Sequence, residues 1–282
     1  MANVAFLGTG LLGGAMVEGM LRRGDSVTVW NRTESKARAL EAFGAKVAAT
    51  PGDAVAGAGR VHMTLPDDEV VEQIVAAFTP RLDKEAIVID HTTSAPRTTK
   101  ARLERLNAGN VKYLHAPVFM SPQMARDSIG LVLASGPQAV YDAVLSTLEA
   151  MTGEVWYLGE RGDLAASYKI FGNSMLFVIA AGVTDVFAMA KGLGISASDA
   201  LTVFTKFQPA GLIKARGEKM ARRDFSATFE LAMARKDMRL MLEAAAGQPM
   251  TVLPGIAKAM DDAIAKGHGK DDLGAIAAAV VQ

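Results

Sequence analysis

Short apolar runs alternate with stretches of helical periodicity over the first 160 or so positions, and then the alternation stops. The runs Val4–Leu7, Ser26–Trp30, Val47-Ala48, Arg60–Leu65, Ala86–Asp90, Lys112–His115, Gly130–Ala134 and Glu154–Tyr157 read as strands. Between them Ala15–Leu21, Glu34–Phe43, Asp67–Ala77, Thr98–Asn107 and Pro137–Met151 read as helices. Strands separated by single helices predict βαβ units and a mostly parallel, doubly wound sheet. From about residue 163 the strand signal vanishes. Ala165–Lys191 is nearly continuous in helix formers and apolar over much of its circumference, which predicts a long helix buried between partners. Further helices are expected at Ser198–Phe207, Thr228–Ala246, Met250–Lys266 and Asp271–Val281. The pattern predicts an α/β domain over 1–162 and an all-α domain over 163–282, joined by a rigid helix.

The first strand breaks into glycines: Val4-Ala5-Phe6-Leu7-Gly8-Thr9-Gly10-Leu11-Leu12-Gly13, followed at once by a helical pattern. Strand, G-x-G-x-x-G turn and helix start in one piece predict a Rossmann-type dinucleotide site. Gly8 permits the tight turn, Gly10 has no Cβ to hold the backbone away from a pyrophosphate, and Gly13 lets the helix lie close to the strand. The free N–H groups and positive dipole end of the helix then face the phosphates. Gly8, Thr9, Gly10, Leu11, Leu12 and Gly13 are therefore candidate cofactor contacts.

The second strand indicates which dinucleotide. An NAD site places Asp or Glu at that strand's end, to accept from the ribose hydroxyls. Here it ends in Asn31-Arg32-Thr33, with no carboxylate to repel a 2′-phosphate. Arg32 can fork onto that phosphate, Thr33 can donate a hydroxyl and Lys36 adds charge, which favours NADP(H). The alternative is that Thr33 only caps the next helix and Arg32 is a solvated charge. Ligands in such sheets sit beyond the carboxyl ends of the strands, so Leu65-Pro66 and Asp90-His91-Thr92-Thr93 are candidates for the nicotinamide half.

Composition narrows the partners. Lys+Arg and Asp+Glu are equal at 30 each, which points neither to nucleic acid nor to an anionic membrane. No uninterrupted apolar run of 18 residues occurs and the first strand starts at the N-terminus, so neither a membrane span nor a signal peptide is expected and the expected location is cytoplasmic. With no cysteine there is no disulfide or thiolate chemistry. His62, His91, His115 and His268 lack ligand spacing, and no metal is expected. The Ala- and Met-rich helices of the second half offer apolar faces to one another or to a second subunit, so a homodimer or homotetramer is expected.

The long helix opens Ser167-Tyr168-Lys169-Ile170-Phe171-Gly172-Asn173. Lys169 and Asn173, four apart, share one face. A lysine there could stabilise the alkoxide that forms when hydride reaches a carbonyl carbon, and then deliver the proton. A snorkelling lysine with a structural asparagine would look the same on spacing alone.

Taken together, the opening glycine segment, Val27-Thr28-Val29-Trp30-Asn31-Arg32-Thr33, Asp90-x-Thr92-Thr93-x-x-Pro96, His115-Ala116-Pro117-Val118, Lys169-x-x-x-Asn173 and Lys236-Asp237 fall in the order seen in the β-hydroxyacid dehydrogenases. The chain resembles that family, which includes 3-hydroxyisobutyrate dehydrogenases and glyoxylate/succinic semialdehyde reductases, over essentially its whole length. The resemblance implies NADP(H)-dependent interconversion of a small hydroxy acid and its semialdehyde or keto form. It implies Lys169 as the acid/base and Asn173 as a substrate contact, with Thr93 and Lys236 near the nicotinamide.

The chain also departs from the family pattern. Where members usually read Asp-Ala-Pro-Val-Ser-Gly-Gly, this one has His115-Ala116-Pro117-Val118-Phe119-Met120-Ser121-Pro122. Phe119, Met120 and Ser121 thus occupy the stretch that would wrap a substrate carboxylate, which suggests a more apolar pocket. Imine reductases resemble the same family in the Rossmann half and share the Trp-Asn-Arg-Thr segment, but typically carry Asp, Tyr or an apolar residue at the lysine position. Imine reduction or reductive amination is therefore the alternative activity, and a non-catalytic NADP(H)-binding sensor a minor one.

Overall fold

The computed structural model describes residues 3–281. In chain order the first part holds β1 (Asn3–Leu7), α1 (Leu11–Arg22), β2 (Ser26–Trp30), α2 (Glu34–Arg38), β3 (Lys46–Val47), α3 (Pro51–Val55), β4 (Arg60–Met63), α4 (Asp68–Phe78), β5 (Ile87–Asp90), α5 (Pro96–Ala108) and β6 (Lys112–His115). Then follow β7 (Val118–Phe119), α6 (Pro122–Arg126), β8 (Gly130–Ala134), α7 (Gln138–Thr152), β9 (Gly153–Tyr157) and the long α8 (Leu164–Gly192). The remaining helices are α9 (Ala197–Leu201), α10 (Gly211–Ala221), α11 (Leu231–Ala244) and α12 (Leu253–Ala265). The chain forms two compact units with the break between Asn173 and Ser174.

Six parallel strands form the main sheet of the first unit in the order β3-β2-β1-β4-β5-β6, a Rossmann arrangement. On β1, Val4 pairs with Val27 on one side and with Arg60 on the other, so the strand order reverses beside it. Both faces of the sheet are covered. Val4 and Phe6 enter one apolar core with Met16, Met20 and Ile89, while Ala5 and Leu7 enter a second with Val71, Phe78 and Val88. That two-sided burial is why these strands read as continuous apolar runs.

The expectation of one sheet needs a correction. β8 and β9 pair with each other, and β8 pairs antiparallel with the unforeseen β7, which makes a separate three-stranded sheet. The helix expected over Glu34–Phe43 is α2 followed by a short 3-10 turn at Glu41–Phe43, closed by Gly44 at φ +98°.

In the second unit, Leu231, Ala234 and Met238 of α11 pack on Ala257, Met260 and Ala263 of α12. Two buried carboxylates organise the helix starts. Asp185 accepts from the backbone N–H groups of Thr251, Val252 and Leu253, which caps α12 from outside. Asp272 accepts from Thr228 N at 3.0 Å, Phe229 N at 3.2 Å and Gly274 N at 2.9 Å, ahead of α11. These ties explain why the helix expected over Asp271–Val281 is only a 3-10 segment, Leu273–Ala277. The Ser198–Phe207 stretch likewise divides into α9 and a 3-10 turn. α10 escaped the periodicity because none of its residues is buried.

α8 is the one helix among the described residues long and apolar enough to cross a membrane by length and composition. It also carries Asp185, fully buried and hydrogen-bonded within the second unit. Its middle is exposed: Leu176, Phe177 and Ile179 are 55%, 70% and 54% accessible.

Candidate active site

The glycine turn leads from β1 into α1. Gly8 adopts φ +94°, and a Cβ there would lie 2.1 Å from Thr64 O. A Cβ on Gly13 would lie 2.0 Å from Gly8 O and 2.3 Å from Thr64 Oγ1, so the close packing of helix and strand requires glycine. Around Gly10 a Cβ would meet nothing within 4 Å; the space beside this backbone is open. Gly10 is the N-cap of α1 and supplies no side-chain cap, and the first turn holds no acidic residue. The helix therefore presents free N–H groups and positive dipole to that space, which fits a pyrophosphate.

A cleft of about 550 Å³ opens there, at the carboxyl edge of the sheet where the strand order reverses. It brings together Gly8, Gly10, Leu11, Leu12, Gly13, Asn31, Arg32, Thr33, Leu65, Pro66 and Thr93, along with Lys36, His91 and Thr92. Val70, Gln73 and Ile74 of α4 line it too; with polar and apolar positions mixed and no motif, they carried no signal in the sequence. Thr9 does not line the cleft. Its N–H donates to Asn31 Oδ1 at 3.0 Å, while Asn31 Nδ2 donates to Thr33 O at 2.9 Å, so Asn31 fixes the β2 end against the glycine turn. Thr33 holds the N-cap position of α2, yet its hydroxyl makes no capping bond. Arg32 and Lys36 enter no ion pair among the described residues.

A larger depression, about 830 Å³, lies at the opposite edge, where Ala86 and Val111 lead into β5 and β6. Ligands of open parallel sheets bind beyond the carboxyl ends of the strands, on the other side from this depression.

Buried polar groups stiffen the β4 and β5 side of the cleft. Leu65 N donates to Thr92 Oγ1 at 3.0 Å and His91 N to Met63 O at 2.9 Å, which joins the β4 and β5 ends. Arg102, fully buried, donates to Glu72 at 2.7 Å and Asp68 at 2.6 Å, and Tyr113 donates to Asp90 at 2.6 Å. Three histidines that look scattered in the sequence converge here. His91 Nδ1 donates to Ala116 O at 2.6 Å, and His62 Nδ1 lies 2.9 Å from His91 Nε2. Burial pushes all three below the usual histidine range, His115 to about 4. Among the described residues no group of three or more His, Asp or Glu could hold a metal ion.

His91 thus ties the cleft to Ala116, three residues before Phe119. The stretch expected to face substrate divides in three. Ser121 accepts from Met124 N at 3.2 Å as the N-cap of α6. Met120 packs on the sheet core. Phe119 reaches the lysine: Lys169 Nζ lies 3.9 Å from its ring centroid. Lys169 is buried, and desolvation pushes its ammonium down to about 8 from 10.5. Asn173, one turn on, is half-buried. Lys236 lies on α11 in the second unit, ion-paired to Asp237 at 2.8 Å.

A glycine turn under a helix N-terminus, at the reversal point of a parallel sheet, defines a dinucleotide-binding protein of the Rossmann class. Residues 3–159 match the NAD-binding domain of 6-phosphogluconate dehydrogenase, and residues 162–280 match the NAD-binding region described for NADP-dependent 3-hydroxyisobutyrate dehydrogenase. The chain belongs to this family of NAD(P)-dependent hydroxyacid dehydrogenases.

Glyoxylate/succinic semialdehyde reductase 1 of Arabidopsis thaliana is 28% identical over 99% of this chain and 98% of its own. The cytokine-like nuclear factor N-PAC of Drosophila melanogaster is 27% identical over 85% of this chain, and the matched region spans 40% of that relative's length. An imine reductase from Myxococcus stipitatus, solved with NADP+, has the same fold, with a TM-score of 0.90 at 19% identity, covering 98% of this chain and 99% of that one.

Proposed function

We propose that this chain is an NADP(H)-dependent reductase of small carbonyl compounds, interconverting a hydroxy acid and its semialdehyde or keto form, with Lys169 as the acid. The observation that carries the reading is the state of Lys169: a buried ammonium, without an ion pair among the described residues, whose proton is held no more tightly than about pH 8. Hydride arriving at a carbonyl carbon leaves charge on oxygen, and a poised ammonium offsets that charge and then gives up its proton. The nicotinamide cofactor supplies the hydride. Asn173, on the same helix face, is suited to orient the substrate oxygen.

The choice of NADP(H) is supported by Arg32, Thr33 and Lys36, three donors without a carboxylate among them at the β2 end of the cleft. Lys236 and Thr93 are assigned to the nicotinamide half by resemblance.

The apolar Phe119 face beside the lysine favours a second reading, reduction of imines. A preformed iminium carries its own charge and needs no proton at the reacting atom, so one experiment separates the two. Lys169→Ala should lower kcat on glyoxylate or succinic semialdehyde by about two to four decades, with NADPH binding retained. On a cyclic imine it should cost little. Full aldehyde reduction by the variant would exclude Lys169 as the acid.

The exposed apolar middle of α8 supports a homodimer or larger assembly. A monomer would leave Leu176, Phe177, Val178 and Ile179 in water as one continuous stretch.

A further inference from the structure

Lys169 has an unusual neighbourhood for a buried cation. The helix positions three and four residues away are Ala165, Ala166, Gly172 and Asn173, none of them charged. On the strand side Val118, Met120 and Ser121 are uncharged as well. Burial weakens the hydration of the ammonium without supplying a carboxylate in return. The compensating group is an aromatic face, with the Phe119 ring centroid 3.9 Å from Nζ, well inside the range over which a ring quadrupole attracts a cation.

A second, independent feature marks this contact as built. Gly172 lies inside α8, where glycine is unfavourable and no turn requires it. A Cβ there would lie 2.3 Å from Phe119 Cζ and 2.7 Å from Cε1, distances that no side chain can share with a ring. The glycine makes room for the ring, and the ring sits over the ammonium.

We propose that Phe119 is a positioning residue for Lys169: its ring face holds the ammonium in one place on α8, and Gly172 supplies the space that lets the ring do so. The inference rests on the reading of Lys169 as the acid, and it adds how that acid is kept protonated and aimed. Two opposing influences act on the ammonium. Desolvation favours the neutral amine, whereas the ring favours the cation. A side chain of similar bulk without a ring keeps the first influence and removes the second.

Competitive acetylation with acetic anhydride between pH 6 and 10, with the Lys169 peptide quantified by mass spectrometry, reads the amine's titration without any turnover. Phe119→Leu should move the titration midpoint down by about half to one pH unit, from the loss of a partly desolvated cation–π contact. Gly172→Ala, which alters neither partner, should move it in the same direction by displacing the ring. Phe119→Tyr keeps the face and should restore the original midpoint. In turnover, Phe119→Leu should lower kcat more than it raises KM. An unchanged or raised midpoint in Phe119→Leu, or no change in a cooperatively melting Gly172→Ala, would overturn the proposal. The two readings fail separately. If Lys169→Ala keeps aldehyde reduction while the midpoints move as stated, Lys169 is not the acid but the contact stands. If Lys169→Ala is inactive and the midpoints stay fixed, only the role of Phe119 fails.

Discussion

Replacing Lys169 with methionine should make the protein more stable at neutral pH while removing the acid proposed for the reaction. Methionine has similar length, no charge and the adaptability to fill the same space. The magnitude follows from the proton equilibrium. The unfolded chain holds this proton up to about pH 10.5, and the folded chain releases it near pH 8. Each unit of difference is worth about 1.4 kcal/mol, so desolvation costs the charged form of Lys169 about 3 kcal/mol in the fold, and the ring contact offsets part of that. Below pH 8 both states carry the charge and the full cost applies. Between pH 8 and 10.5 the unfolded state binds more protons, so wild-type stability rises with pH through this group. Above pH 10.5 both states are neutral and the cost is gone. Lys169→Met should therefore exceed wild type by about 2–3 kcal/mol at pH 7, and the gap should close as pH approaches 10.5. Urea unfolding of both proteins across that range checks it, at one fixed protein concentration because assembly shifts apparent stability. A variant no more stable than wild type at pH 7, or a gap that ignores pH, would refute the reasoning.

Removing the guanidinium by Arg32→Ala should weaken NADPH by about one to two decades and NADH far less, since a charge-assisted forked contact is worth roughly 1.5–3 kcal/mol; equal KM values for the two cofactors in the unmodified protein would defeat the assignment. Sedimentation of the wild type at micromolar concentration should give a dimer or larger species, and Phe177→Asp, on a side chain 70% exposed in the single chain, should shift it toward 29.7 kDa. A wild type that already sediments as a monomer would remove the reason for the exposed α8 face.

Much of the dinucleotide site was legible in the chain itself, because its requirements are local. A strand, a glycine turn and a helix start are consecutive residues; the φ of +94° at Gly8 and the approach of Gly13 to Gly8 O arise within that turn, while the crowding of both glycines by Thr64 comes from the distant β4 end. The β2 end was legible for the same reason: Asn31, Arg32 and Thr33 lie at one strand terminus. Even so, spacing left open whether the Thr33 hydroxyl was occupied in a cap, and only the folded geometry answers that.

Pairings between distant segments left no periodic trace. The β7–β8 ribbon depends on Val118 meeting Val132, and the truncated C-terminal helix on Asp272 turning toward Thr228 and Phe229. Histidines 62, 91 and 115 converge only because β4, β5 and β6 are neighbours in the sheet. The fate of the Phe119–Ser121 stretch shows the limit most clearly. In sequence its three residues were equivalent candidates for touching substrate. In the fold Ser121 caps a helix, Met120 fills the core, and Phe119 meets Lys169 because Gly172 has no side chain to prevent it. Local chemistry decided where a cofactor can bind; packing between segments far apart in sequence decided what surrounds the lysine.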